Sequence, residues 1–199
     1  MASERFAQLI ERIDQLNRQD PNTELVDGVP MPREYVYSRR LTDWVLRLEP
    51  TASEALRIAA RGQHVQRWTI PRDRYERNRR GYLRWRETLK TFHAQQMTEL
   101  MAAAGYPDEM IQQVRSLIVK RRPADDAEAQ TLEDALCLVF FETQFADLRQ
   151  RTPEPAMAEA LRKMWKKMSE RGRAEALRLR LGEAERKLLS EAVGGVNSP

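Results

Sequence analysis

One cysteine and two histidines are all that this 199-residue chain has of the side chains that most often form disulfides or bind metals. A single thiol, Cys137, excludes an internal disulfide. Its place in the apolar run Ala135-Leu136-Cys137-Leu138-Val139-Phe140-Phe141 predicts a buried core thiol and not a nucleophile, because apolar burial raises a thiol's pKa. That cysteine usage suits the cytoplasm. No apolar run approaches the roughly 20 residues needed to cross a bilayer, so no membrane partner is expected. The start, Met1-Ala2-Ser3-Glu4-Arg5, runs into an amphipathic helix containing acids, unlike a secretion or transit signal. Internal repeats and low-complexity tracts are also missing. What remains, 41% hydrophobic and 32% charged residues, is the composition of a globular, helix-rich chain that can bury a proper core.

Charge is abundant but clustered. The net charge of +4 conceals eight arginines between Arg67 and Arg86, the triplet Lys120-Arg121-Arg122, and Lys163, Lys166 and Lys167 near the C-terminus. Such clusters favour phosphate-bearing partners, from nucleotides to RNA. The plainer alternative is a solvated, salt-bridged helical surface.

Helical periodicity recurs along the chain. Phe6, Leu9, Ile10, Ile13 and Leu16 keep helical spacing until Asp20-Pro21. The turn-rich stretch Asp27-Gly28-Val29-Pro30-Met31-Pro32 reads as a loop, followed by a helix with Leu41, Trp44, Val45 and Leu48 on one face. Thr51-Ala52-Ser53-Glu54 is a capping-box pattern opening a helix with Leu56, Ala59, Ala60 and His64 facing inward. Trp68 to Arg80 reads as irregular. The next helix aligns Tyr82, Trp85, Leu89, His93, Met97 and Leu100 and ends at a Gly105 C-cap, and Pro107 opens a shorter one. A single helix from Asp125 to about Asp147, apolar on nearly every side, is expected to be central. Beyond Thr152-Pro153-Glu154-Pro155, the pattern gives a helix with Leu161, Met164, Trp165 and Met168, a break at Gly172, two short helices and a loose tail from Gly194. The expected architecture is all-α: a helical core over residues 1–150 and a helical extension over 151–199 packed on it.

Both histidines and the acidic pair Glu133-Asp134 fall on three core helices. Ionisable groups among apolar neighbours cost several kcal/mol unless paired, neutralised or metal-bound. One shared polar site is therefore expected, with His64, His93 and Asp134 as ligands of a divalent ion (iron, manganese or zinc) and Glu133 as fourth ligand or general base for a bound water. A buried histidine–carboxylate network without metal is the alternative. Around it, Gln63, Arg67, Trp68, Arg72, Tyr82, Trp85 and Arg86 form a substrate wall. Arginine forks would grip phosphate or carboxylate, and the tryptophans would stack a planar group. Equally, the tryptophans could anchor core edges while the arginines pair with Glu76 or Glu87.

The order of segments resembles the HD-domain superfamily of helical metal-dependent phosphohydrolases. Glu54 through His64 looks like the helix that delivers that family's His-Asp pair, the stretches from His93 and from Met110 to Lys120 look like the helices after it, and Glu128 through Ala135 looks like the segment bearing its last Asp. Two positions depart: Val65 follows His64 in place of Asp, and only Ser38, Arg39 and Arg40 stand where the first His would be. A degenerate site using Arg39 or Arg40 is the corresponding alternative. From about Phe6 to Val193 the chain also resembles an uncharacterised bacterial and fungal family, domain of unknown function 4202. The motifs are Tyr37-Ser38-Arg39-Arg40, Ala59 through Trp68, Ile70-Pro71-Arg72, Gly81 through Arg86, Phe92-His93-Ala94, Gln130 through Asp134 and Trp165 through Ser169. Fungal members are sometimes labelled glutamyl-tRNA synthetase. Lys167-Met168-Ser169 resembles a synthetase signature, but the parallel sheet and His-x-Gly-His element of such enzymes are missing here. The resulting expectation is a divergent HD-like hydrolase of a phosphorylated or anionic small molecule such as a nucleotide. The alternative is a non-catalytic RNA- or protein-binding module with structural histidines.

Overall fold

Local capping and hydrophobic spacing build this chain out of helices. The computed structural model describes residues 3–123 and 125–194, among which there are ten α-helices and one hairpin. Helix α1 (Glu4–Asn17) starts where the Ser3 side chain accepts the Phe6 N–H, and it buries Phe6, Leu9 and Ile13. The stretch read as a loop is instead a hairpin, β1 (Thr23–Val26) pairing antiparallel with β2 (Val29–Pro32). Asp27 and Gly28 take positive φ (50° and 80°), the turn that matches the twist of a two-residue hairpin. Strands of four residues, one of them carrying two prolines, leave too little alternation to be seen as strands. The structure is thus mostly helical rather than wholly so.

Helix α2 (Arg33–Leu48) follows the hairpin directly, and α3 (Glu54–Gly62) starts where the capping-box stretch put a helix. Its N-cap, however, is Ser53, which accepts the Leu56 N–H, and not Thr51, whose side chain bonds Glu49. Two 3₁₀ turns, Arg67–Thr69 and Arg72–Arg74, occupy the segment expected to be irregular. Helix α4 (Arg79–Ala103) ends at Gly105, where φ is +73° and the Tyr106 N–H returns to the Met101 carbonyl; α5 (Asp108–Val119) begins after Pro107. Helix α6 (Ala127–Thr143) is indeed the central one, packing on α2, α3, α5, α8 and α9. It does not reach Asp147. Gln144 leaves helical geometry, and α7 (Phe145–Arg151) starts anew so that fully buried Phe145 turns onto Phe140 and Phe141.

The C-terminal helices are α8 (Glu154–Lys167), α9 (Glu170–Arg178) and α10 (Glu183–Gly194); α8 pairs with α10, and α9 lies on α6. The break falls at Met168-Ser169 and not at Gly172, which lies in the first turn of α9. Gly172 is there because a Cβ at that position would come within 2.5 Å of the Asp134 carboxyl carbon. The tail beyond Gly194 lies outside the described residues. Core side chains from all of these helices form one contiguous apolar cluster, and no described helix is long and apolar enough to cross a membrane.

Candidate functional site

Three backbone devices bring the site together. Asp20 accepts the Glu34 N–H with one carboxylate oxygen (3.1 Å) and the Asn22 N–H with the other (2.9 Å), fixing the start of α2 just after the hairpin. Asn17 accepts the Gln66 N–H (3.2 Å) and so holds the left-handed turn after α3, where Gln66 has φ of 52°. Gly62 lets α3 approach α4: an added Cβ would lie 2.3 Å from the Met97 sulfur. Met97 is one turn after His93, so this close approach also brings His93 toward His64.

His64, expected on the inward face of a helix, lies instead in the turn just after α3, and it is the centre of the arrangement. Tyr37 stacks on its ring with centroids 4.1 Å apart and planes 12° apart, while His93 sits tilted behind it at 5.6 Å. Glu34, one turn before Tyr37 on α2, places Oε2 3.2 Å from His64 Nδ1, out of line for a hydrogen bond, and Oε1 3.8 Å from Arg67 Nε. Among the described residues, Glu34 Oε2, His93 Nε2 and Gln63 Oε1 are buried without a hydrogen-bond partner. Unsatisfied buried polar atoms are costly, and five more occur elsewhere among the described residues; what sets Glu34 and His93 apart is that both flank the same ring, His64.

Burial sets the protonation states here. It pushes the Glu34 carboxyl up to about 7, assisted by the Asp20 charge and opposed by Arg67 and Arg33. His64 is held well below the usual imidazole range, first by burial and then by Arg67, Arg86 and Lys120. Burial also depresses His93, with His64 and Arg67 adding to the effect, and it raises the Tyr37 hydroxyl. Near neutral pH both imidazoles are therefore uncharged, and Glu34 is the group poised to exchange a proton.

This cluster opens into a cavity of about 490 Å³. Glu34, Tyr37, His64 and Arg67 lie on its inner wall, and Arg33, Arg40 and Arg151 are among the other lining residues. The His64 side chain keeps 19% of its surface open to this space, against 10% for Glu34. Glu24, which pairs with Arg40, and Asp147 also line it, so the wall carries four arginines and three acids, the titratable Glu34 among those acids.

The residues singled out from the sequence divide into two groups. His64 and His93 converge, with Arg67 on the same cavity wall as His64, and Gln63 is buried at the neighbouring chain position. Asp134 is engaged elsewhere: it accepts the Ser169 N–H (2.9 Å), the Ser169 hydroxyl and the Gln130 amide (3.0 Å), anchoring the start of α9. Glu133 pairs with Lys120 and lies 3.9 Å from Lys167. Among the described residues no three His, Cys, Asp or Glu side chains form a group that could hold a metal ion. Trp85 donates to the Ile70 carbonyl (2.9 Å) and lies under the guanidiniums of Arg67 (4.8 Å) and Arg72 (5.9 Å). Arg72 also donates to the Tyr75 and Glu76 carbonyls, so these two residues pin the irregular segment in place. Tyr82 and Arg86 contact each other on the exposed face of α4, and Trp68 is half-buried in its 3₁₀ turn. Cys137 is buried, its thiol pushed up to about 12.

Sequence reasoning missed Glu34. A signal existed: Glu34, Ser38, Leu41, Val45 and Leu48 follow one 4-3-4-3 stripe, and all five are buried. Extending the Leu41–Leu48 periodicity backward would have put a carboxylate on a core face. The lining residues Arg33 and Arg151 carried no such mark.

No curated protein and no solved structure matches this chain. A family model does, over residues 7–189, which is most of its length. By that match the chain belongs to the family described as "Domain of unknown function (DUF4202)".

Proposed function

We propose that the cavity is an active site for a phosphorylated or carboxylated small molecule and that Glu34 moves the proton. The observation that carries this reading is a buried carboxyl, its Oε2 without a hydrogen bond and 3.2 Å from His64 Nδ1, on the wall of a cavity that Arg33, Arg40, Arg67 and Arg151 also line; burial pushes that carboxyl up to about 7. Arg67, with Arg33, Arg40 or Arg151, would neutralise the substrate's charge. Glu34 would take a proton from water or a substrate hydroxyl, and His64, fixed by the Tyr37 stack, would orient the reacting group. The substrate class is the one that the HD resemblance implies, with Glu34 as the carboxylate beside His64.

The test is turnover of a panel of phosphomonoesters, nucleotides and acyl compounds by the purified chain, with and without chelator. Activity should rise with pH through about 7 and fall at least a hundredfold in Glu34→Gln, in line with the loss of a general base. Turnover that is unchanged in Glu34→Gln, or abolished by chelator and restored by one divalent metal, would refute this mechanism. A second reading has one observation in its favour: Arg77, Arg80 and Arg84 are exposed around the exposed Tyr82 and Leu83 at the start of α4. An RNA-binding module would use that face, and its affinity would fall steeply with salt while ignoring Glu34→Gln.

A further inference from the structure

A second cavity of about 480 Å³ adjoins the first, and Arg40 and Thr143 line both. Its charges are not balanced. Arg47 and Arg178 share one carboxylate, Glu175, at 2.7 Å each. Glu142, the other acid of this wall, accepts the Trp44 indole N–H at 2.8 Å. Arg180 is exposed and takes part in no ion pair among the described residues. Arg40, at the junction, is held by Glu24 of the hairpin. The two cavities therefore meet at Arg40 and Thr143, with Arg178 and Arg180 among the lining of the second.

We infer that the substrate carries two anionic groups. One is held beside Glu34 and His64 by Arg67 and its neighbours, and the other by Arg178 and Arg180 in the second cavity, with Arg40 between them. This rests on the reading of the first cavity as an anion site and adds what lies at the substrate's far end. Paired anions at a fixed separation are the feature that a phosphate at each end of a small molecule supplies. Guanidinium forks match phosphate geometry at either end.

Calorimetric titration of the full chain with hexose 6-phosphate, hexose 1,6-bisphosphate and pyrophosphate tests this. At least one doubly anionic probe should bind about tenfold or more tightly than hexose 6-phosphate, the scale of one added charge-assisted contact. Arg178→Ala/Arg180→Ala should remove that advantage and leave the monophosphate affinity unchanged. Arg84→Ala, on the outer face of α4, should keep the advantage and so exclude a general effect of protein charge. Equal affinities for singly and doubly anionic probes, or an advantage that survives the double variant, would overturn the inference alone. Binding of neither kind would overturn the anion site itself.

Discussion

Replacing Glu34 by Gln should stabilise the protein, by an amount that depends on pH. In the unfolded chain this carboxyl ionises near 4.5, whereas in the fold burial holds the proton until about pH 7. Between those values the folded state binds more protons than the unfolded one, so Glu34 makes stability fall as pH rises, with a plateau above 7. A gap of about 2.5 pKa units corresponds to about 3 kcal/mol at pH 8. Glutamine matches the protonated form in shape and cannot ionise. The two variants should therefore have similar stability near pH 4.5 and diverge steadily to about pH 7, with Glu34→Gln the more stable. His64 and His93 act in the opposite sense: their depressed pKa values give stability that is present above about 6.5 and lost as pH falls. That contribution is common to both proteins and cancels in the difference. Urea unfolding followed by circular dichroism at pH 5, 6, 7 and 8 measures it. A difference that does not change with pH, or a wild type that is the more stable at pH 8, would mean that His64 or Arg67 holds Glu34 as a paired carboxylate. The proton-transfer role would then have no basis.

Gly62→Ala should destabilise the fold by about 1–3 kcal/mol despite alanine's better helix propensity, because the new methyl meets the buried Met97 sulfur. Loss of the His64–His93 ring proximity in imidazole NMR shifts should accompany it, and an unchanged melting profile would show that α3 and α4 are not in close contact. Asp134→Ala removes the acceptor of the Ser169 N–H and hydroxyl and should cost about 2–4 kcal/mol, since it ends charge-assisted bonds in a buried place. Hydrogen exchange should quicken at the start of α9 while ligand binding in the first cavity persists; loss of that binding in a variant that remains folded would return Asp134 to the site.

The helical fold was legible because helices write themselves locally. The Gly105 stop and the Pro107 start each act within a few residues of their own positions and lie where their patterns put them, while the α3 cap falls at Ser53, two residues after the Thr51 of its capping-box pattern. The hairpin and the kink at Gln144 were not legible, for two physical reasons. Four-residue strands hold too few alternations to register, and α6 ends where buried Phe145 has to turn onto Phe140 and Phe141, a demand of packing that no spacing encodes. The candidate site divides along the same line. The two histidines stood out as rare polar residues among apolar spacing; His93 does lie on the buried stripe of α4, His64 lies in the turn after α3, and the fold brings their rings within 5.6 Å. Which acid would join them was a tertiary question. Glu133-Asp134 stood out by sitting directly before the most hydrophobic run, yet Asp134 serves as the anchor of a helix 35 residues away in sequence. Glu34 stood in the first turn of a helix, where an acid is ordinarily a solvated partner of the helix dipole. Here the hairpin and the Asp20 cap turn that position inward, so an acid that favours helix starts ends up buried, with Oε2 lacking a hydrogen bond among the described residues and its carboxyl pushed up to about 7. Nothing in α2 alone could reveal that. A carboxyl left without a hydrogen bond beside an imidazole weakens the fold, and the proposed mechanism would offset that cost by letting ligand or water complete the group.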